Sequence, residues 1–309
     1  MSCNARNLAS MLEHCRNHRA LERAMIPNPH RQHRVAFSVD GEQRRMAVHE
    51  WGEPRNPRVL VCAHGVTRNG RDFDVIADAL CNDYRVLCPD FPGRGESDWL
   101  ATAEQYVIPN YAIATRAMLH DLGVQRYDWI GTSMGALIGM VMTFDPTHSM
   151  QRFVVNDIGP TIERIALDRI SETIGRWPMF PDYPALAAAL STTIASFGPL
   201  SDEQLHHLIK TSCQRRVDGQ WEMKADPKIG DAFRIAYAQP PVDLWPLWQS
   251  ITQPTLILRG ANSDLLSAET LEKMLVSHSH SQAVTIGNTG HAPALMDVPT
   301  IARIKKFLS

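Results

Sequence analysis

Short apolar runs alternate along the chain with longer segments in which apolar residues recur at helical spacing. The short runs predict strands at 34–39, 45–51, 58–65, 84–90, 127–132, 152–159, 254–260 and 282–287. The longer segments predict helices near 71–81, 104–122, 134–144 and 268–277, and a last helix at the carboxyl end. Alternation of this kind is typical of an α/β fold with a mostly parallel sheet.

Two details refine that prediction. Asp40–Gly41 separates the first two strands, and this dipeptide is typical of a tight hairpin, so these strands should pair antiparallel. The run RVLVCAHG at 58–65 is apolar at nearly every position. A strand with this pattern is expected in the middle of the sheet, covered on both faces.

Between 161 and 250 the alternation stops, and the segment becomes rich in helical patterns, prolines and tryptophans. Ser201 and Gln204 have the spacing of a capping box at the start of one helix. We therefore expect a helical insertion at 161–250, placed between two strands of one core formed by 31–160 and 251–309. The tryptophans of the insertion, Trp177 among them, are candidates to line an apolar pocket, although simple packing explains each of them too.

Composition and charge indicate which cellular compartment and which binding partners to expect. The formal net charge is −2, which gives no electrostatic reason to expect nucleic acid or an anionic membrane as partner. No apolar run is long enough to span a bilayer, and the six cysteines form no CxxC pair, so a reduced, cytoplasmic location is expected. Residues 1–30 are predicted to be an extension, either a short docked helix or disordered, with a transit peptide as the alternative.

The segment WIGTSMGALIG at 129–139 places Ser133 two residues from a glycine on each side. A nucleophilic serine must stand on a sharp turn from strand to helix, where side chains at 131 and 135 would collide with the backbone. The same turn leaves the Met134 N–H at the helix start without an intrahelical acceptor, which suits an oxyanion. The alternative is a tight turn in which Ser133 only caps the helix.

A serine hydroxyl needs a base, and His291 in GNTGHAP follows the last predicted strand, at the same sheet edge as Ser133. The base in turn needs a carboxylate that orients it. Asp264 follows the strand at 254–260, and Asp157 follows the strand at 152–159. Either position allows contact with His291, and we predict Asp264.

Together these residues resemble the α/β-hydrolase superfamily, specifically its serine hydrolases with a helical cap. The order Ser133, Asp264, His291 is that family's order of nucleophile, acid and base. The resemblance implies an eight-stranded, mostly parallel sheet with helices on both faces and a cap inserted after the sixth strand.

The segment AHGVTRNGRDF resembles the family's oxyanion loop, which implies that the Val66 N–H is the second oxyanion donor and that His64 holds the loop. DFPGRGESD resembles its D-x-x-G-x-G-x-S loop, with Arg94 where a histidine is common.

The resemblance implies a hydrolase that uses neither a metal nor an organic cofactor. Relatives that open epoxides or remove halides carry aspartate at the position of Ser133, so these chemistries are not expected. We predict hydrolysis of a small carboxylic ester or lactone, with Arg68 and Asn69 as candidate contacts to a polar substrate group. The alternative is that both residues lie on a solvated turn. Carbon–carbon cleavage of a diketone by the same triad and a hydrolase-like ligand receptor remain open, and the sequence does not indicate an oligomeric state.

Overall fold

The computed structural model describes residues 31–309, and its centre is one eight-stranded sheet. The described residues form ten strands: β1 Arg31–Val39, β2 Glu42–Trp51, β3 Val59–Ala63, β4 Arg85–Pro89, β5 Arg126–Thr132, β6 Ser149–Asn156, β7 Cys213–Arg215, β8 Trp221–Met223, β9 Thr255–Gly260 and β10 Ser281–Ile286. The large sheet has the order β1-β2-β4-β3-β5-β6-β9-β10. Its pairs from β4 to β10 are parallel, whereas β2 is antiparallel to both of its neighbours.

The predicted hairpin is present. Asp40 and Gly41 have φ values of 51° and 82°, the left-handed pair that a two-residue turn of this twist requires. A residue without a Cβ adopts this conformation without strain, which accounts for glycine at the second position.

Ten α-helices accompany the strands among the described residues. They are α1 Asp74–Leu80, α2 Ile108–Asp121, α3 Met134–Met142, α4 Arg164–Thr173, α5 Tyr183–Ile194, α6 Asp202–Ser212, α7 Lys228–Tyr237, α8 Trp245–Gln249, α9 Ala268–Ser277 and α10 Val298–Leu308. Short 3₁₀ turns occur at Gly70–Phe73, Ala103–Gln105 and Ala195–Phe197. The predicted helices near 71–81 and 104–122 each begin with such a turn, so their α-helical parts start later than expected.

Both faces of the sheet are buried, as the continuous apolar run in β3 predicts. Val61 belongs to a cluster with residues of α2, α3 and α9, whereas its neighbours Leu60 and Cys62 belong to a second cluster with residues of α1 and α10. Successive side chains of a strand point to opposite faces, so an apolar residue at every position serves two cores. The predicted α/β fold, with helices on both faces of a mostly parallel sheet, is confirmed.

The chain between β6 and β9, called the cap segment below, forms α4 to α8, and the capping box at Ser201 and Gln204 is present at the start of α6. This segment also contains the antiparallel pair β7–β8, which the sequence did not lead us to expect. A third apolar cluster lies here, built mainly from α5 and α6 and including Leu186 and Leu208. The division into core and cap stays a prediction.

The extension predicted for residues 1–30 lies outside the described residues. Within 31–309, no helix combines the length and the apolar character needed to cross a membrane.

Candidate active site

Ser133 stands on a sharp turn between β5 and α3. Its φ of 52° and ψ of −117° lie outside the regions that a side chain ordinarily allows, so the backbone is strained at this point. A Cβ added at Gly131 would lie 2.5 Å from the Ala136 nitrogen, and one at Gly135 would lie 2.1 Å from the Ala63 oxygen. Glycine is therefore required on both sides of the serine. The Ser133 side chain makes no capping hydrogen bond to α3, which argues against the alternative that it only starts the helix.

His291 lies in the loop after β10, and its ring reaches the serine. Its Nε2 is 3.0 Å from Ser133 Oγ, and its Nδ1 is 2.9 Å from Asp157 Oδ2. The Asp157 side chain is completely buried, and its Oδ1 accepts a hydrogen bond of 2.9 Å from the Gly260 N–H. A carboxylate held in this way fixes the ring with Nδ1 protonated and leaves Nε2 free to accept the serine proton.

The carboxylate that we predicted, Asp264, does not contact His291. Its two oxygens accept hydrogen bonds of 2.7 and 3.0 Å from Arg169 of helix α4. Burial raises the pKa of Asp264, but the hydrogen bond and charge of Arg169 outweigh it, and the pKa is lowered overall. Asp264 lies four residues beyond the end of β9, on the turn that meets the cap segment, whereas Asp157 directly follows the adjacent strand β6. The prediction of Asp264 as the residue that orients His291 is therefore wrong, and its rival Asp157 holds that place.

Two parts of the chain brace the loop that carries His291. The Ser196 carbonyl accepts a 2.7 Å hydrogen bond from the Gly290 N–H, and the Phe197 carbonyl accepts one of 3.1 Å from the Ala294 N–H. From the core side, Asn156 Nδ2 donates to the Pro293 carbonyl over 2.8 Å. The cap segment thus helps to position the histidine, a contact that the sequence did not predict.

The two predicted oxyanion donors lie beside the serine. A Cβ at Gly65 would be 3.8 Å from the Ser133 Cβ, so the loop after β3 passes directly next to the nucleophile. Among the turn, loop and side-chain hydrogen bonds of residues 31–309, neither the Val66 N–H nor the Met134 N–H donates to any acceptor. Free N–H groups in this position suit a developing oxyanion, and their role stays a prediction.

His64 holds the loop after β3 from behind. Its Nε2 accepts a 2.9 Å hydrogen bond from the Phe91 N–H, so its Nδ1 carries the proton and donates to the Gly65 carbonyl over 2.7 Å. Complete burial is the main cause that lowers the pKa of His64 from 6.5 to about 4. The ring is therefore neutral at neutral pH, as both hydrogen bonds require.

Because His64 is neutral in the folded protein, we expect the free energy of unfolding to fall in mild acid. The His64 pKa is about 4 in the folded chain, against 6.5 for an exposed histidine, so the unfolded chain binds more protons between these values. Stability should fall as the pH drops through that window, by about 3 kcal/mol in total. The pKa values of Asp74 and Asp90 lie below the ordinary aspartate value of 3.8, so their contributions to stability are lost only at still lower pH. Urea unfolding at pH 7 and pH 5 measures the effect.

His278 serves as the comparison for this prediction, because burial lowers its pKa too. His64→Asn should remove most of the dependence of stability on pH between 7 and 5, and His278→Asn should remove less. An equal free energy of unfolding of the wild type at both values would contradict the assignment, as would a His64→Asn variant that keeps the full dependence.

Arg68 and Asn69, the candidate substrate contacts, are buried and already paired. Arg68 donates two hydrogen bonds of 2.7 Å to Asp72. The Asn69 side chain caps the following 3₁₀ turn and donates to the Thr211 carbonyl of α6 over 3.0 Å. Arg68 also donates to the Leu208 carbonyl of α6 over 3.3 Å, so both residues tie the loop after β3 to the cap segment. A solvated turn is therefore excluded, and these bonds do not favour substrate contact. Trp177 is half-buried against the main apolar cluster, which fits packing.

The loop at 90–97 is anchored by Asp90. Its Oδ1 accepts from the Gly70 N–H over 2.7 Å, and its Oδ2 accepts from the Glu96 N–H over 2.8 Å. A Cβ at Gly95 would lie 2.1 Å from Asp90 Oδ2, so the motif's second glycine makes room for this carboxylate. Within the described part of the chain, no three His, Cys, Asp or Glu side chains group as metal ligands; the absence of a cofactor stays a prediction.

The similarity to known proteins covers most of the chain and not only the residues of the site. Residues 60–303 match the family model described as the alpha/beta hydrolase family. The chain is 42% identical over 273 residues to the 3-hydroxybutyrate-oligomer hydrolase of Cupriavidus necator, which covers 86% of this chain and 93% of that protein. It is 22% identical over 241 residues to the esterase YbfF of Escherichia coli, over 76% of this chain and 87% of that protein.

A solved structure supports the same assignment. An alpha/beta hydrolase from Novosphingobium aromaticivorans superimposes with a TM-score of 0.80 at 33% identity, covering 92% of this chain and 99% of that chain. The family model spans most of the described residues, including the turn at Ser133, the loop after β3 and the loop of His291. This protein therefore belongs to the alpha/beta hydrolase family.

Proposed function

We propose that this hydrolase cleaves carboxylic esters through an acyl-enzyme, with Ser133 as nucleophile, His291 as base and Asp157 as the acid that orients the base. The observation that carries the proposal is the continuous chain of hydrogen bonds from Ser133 Oγ through His291 to buried Asp157, over 3.0 and 2.9 Å. A serine is a competent nucleophile only when a base stands ready to take its proton, and this chain supplies one.

The reaction follows from this geometry. Ser133 Oγ attacks the ester carbonyl while His291 Nε2 takes the hydroxyl proton, and the charge that forms on the carbonyl oxygen is met by the Val66 and Met134 N–H groups. The C–O bond to the alcohol then breaks as His291 returns its proton to the leaving oxygen. Water, deprotonated by the same histidine, attacks the acyl-enzyme; the bond from the acyl carbon to Ser133 Oγ then breaks, His291 returns the proton to Ser133, and the acid leaves.

The substrate class comes from the most extensive match among the relatives described above. A protein named for hydrolysis of 3-hydroxybutyrate oligomers shares 42% of aligned residues with this chain. Such an oligomer is a row of ester bonds between short hydroxy acids, so each cleavage uses the chemistry derived above. We therefore propose short oligoesters of 3-hydroxybutyrate as the substrate class, within the wider set of small esters and lactones.

The test is a panel of candidate substrates given to the purified protein and, in parallel, to Ser133→Ala. We expect release of free 3-hydroxybutyrate from its dimer and trimer, and release of nitrophenol from p-nitrophenyl butyrate, by the wild type alone. Turnover of a dienoate ring-cleavage product without ester cleavage would replace the proposal with carbon–carbon hydrolysis. Ligand-dependent association with a partner protein and a single slow turnover would instead favour a receptor.

A further inference from the structure

Arg94 is buried directly behind the two oxyanion donors. The residue is 1% exposed, and its Nε donates to the Val66 carbonyl over 2.9 Å. One Nη1 N–H donates to the Pro92 carbonyl over 2.8 Å and another to Tyr111 Oη over 2.6 Å. Its Nη2 lies 3.5 Å from Met134 Sδ. The guanidinium therefore touches both residues whose N–H groups face the reacting carbonyl.

No carboxylate of residues 31–309 pairs with this guanidinium. Asp226 is a buried carboxylate on this side of the molecule, but its Oδ2 accepts a 2.6 Å hydrogen bond from Tyr106 Oη. The Tyr106 ring lies 5.7 Å from the Arg94 guanidinium carbon, so an aromatic ring takes the place of an ion-pair partner. Burial of a cation without a paired anion is costly, and hydrogen bonds to carbonyls do not neutralise its charge.

The reaction itself produces an anion at this place. In the tetrahedral intermediate the former carbonyl oxygen is negative and faces the Val66 and Met134 N–H groups. Resting on the proposed ester hydrolysis, we propose that Arg94 is a positioning residue for the oxyanion pocket. Its bond to the Val66 carbonyl fixes that residue, and its charge stabilises the intermediate more than the neutral ester.

His64 acts on the same loop from the other side. Its Nδ1 donates to the Gly65 carbonyl, which belongs to the same peptide group as the Val66 N–H. A carbonyl that accepts a hydrogen bond polarises its peptide group, so the N–H becomes a stronger donor. The charge of Arg94 is also one cause, after burial, that lowers the pKa of His64 and keeps it a neutral donor. Val66 is thus held at both of its peptide groups.

The first readout is ester turnover. Arg94→Gln keeps a hydrogen-bond donor and loses the charge, and it should lower kcat for p-nitrophenyl butyrate by about tenfold to hundredfold with little change in KM. Arg94→Lys should lower kcat less, because the positive charge is kept. Arg152→Gln is the matched control: its side chain lies 3.7 Å from Asp128, near the start of β5, whereas Ser133 follows the end of that strand, and kcat should be unchanged.

The second readout separates a charge effect from a merely structural one. A trifluoromethyl ketone with a butyl chain should add to Ser133 and form a hemiketal whose oxygen occupies the oxyanion position. The apparent pKa of this hemiketal, followed by ¹⁹F NMR, should rise in Arg94→Gln and stay near the wild-type value in Arg94→Lys. The affinity for the ketone should weaken in parallel with kcat/KM.

The outcomes distinguish the two proposals. A wild type that neither cleaves the ester nor binds the ketone overturns the proposed function and the role of Arg94 with it. Ester cleavage and ketone binding by the wild type, with an unchanged kcat and hemiketal pKa in Arg94→Gln, overturn only the role of Arg94. If Arg94→Gln does not fold, Tyr111→Phe tests the role of Arg94 instead. This substitution removes the hydroxyl that accepts a hydrogen bond from Arg94 and keeps the packing of the ring. Ketone affinity should then weaken several-fold, and an unchanged affinity overturns the inference.

Discussion

Ser133→Ala should lower kcat for ester hydrolysis by about 10⁶-fold, because the acyl-enzyme can no longer form. Covalent labelling by a fluorophosphonate should disappear altogether, since the reagent needs the same oxygen. The protein should stay folded: within residues 31–309 the hydroxyl has a single side-chain partner, His291, and the loss of this hydrogen bond costs about 1 kcal/mol. Intact-mass spectrometry after labelling and the thermal midpoint of unfolding measure both expectations.

A second serine provides the control for that result. The Ser171 hydroxyl donates to the Asp168 carbonyl within helix α4, and Ser171→Ala should label and turn over as the wild type does. Labelling of Ser133→Ala at another residue would show that the nucleophile has been misassigned. Absence of labelling in the wild type would contradict the proposed activity.

Asp157→Asn should lower kcat by about 10⁴-fold. The Asn side chain has the same shape and can still accept from the Gly260 N–H, but its amide then faces His291 Nδ1. That contact requires an unprotonated Nδ1, so the proton moves to Nε2, which can no longer take one from Ser133. The defect lies in the tautomer of the ring, so KM and the folded structure should change little. Steady-state kinetics with p-nitrophenyl butyrate measure the loss.

Asp264→Asn is the matched control, because this residue is the other aspartate at the carboxyl ends of β6 and β9. It should change kcat by only a few-fold. The side chain of Asp264 is 37% exposed, and its bonds to Arg169 join the cap segment to the core rather than orienting the base. A larger loss in Asp264→Asn than in Asp157→Asn would contradict the geometry of the site.

Most of the fold could be predicted from the sequence because its signals are local. An apolar residue at every position marked β3 as a strand covered on both faces, and the Asp40–Gly41 turn is fixed by its own two residues. The strand pair β7–β8 gave no such signal. Each strand has only three residues, and helices α5 and α6 pack against them.

Part of the site could also be predicted in this way. Gly131 is required by its contact with Ala136, a few residues along the chain, so this glycine and Ser133 appear in the sequence within one motif. In the loop at 90–97, Gly95 likewise makes room for the nearby Asp90 carboxylate. These features are visible in the sequence because the atoms that demand them lie close along the chain.

The sequence by itself determined that a serine stands at the end of a strand and that a histidine follows the last one. Only the tertiary structure decided which aspartate meets that histidine. Asp157 and Asp264 both follow strands, β6 and β9, and those strands are neighbours in the sheet. The choice depends on where each side chain lies in the assembled core, whether fully buried beside Gly260 or turned toward Arg169 of the cap segment. The same holds for Arg94, whose contacts with Val66 and Met134 form only when three distant loops pack together.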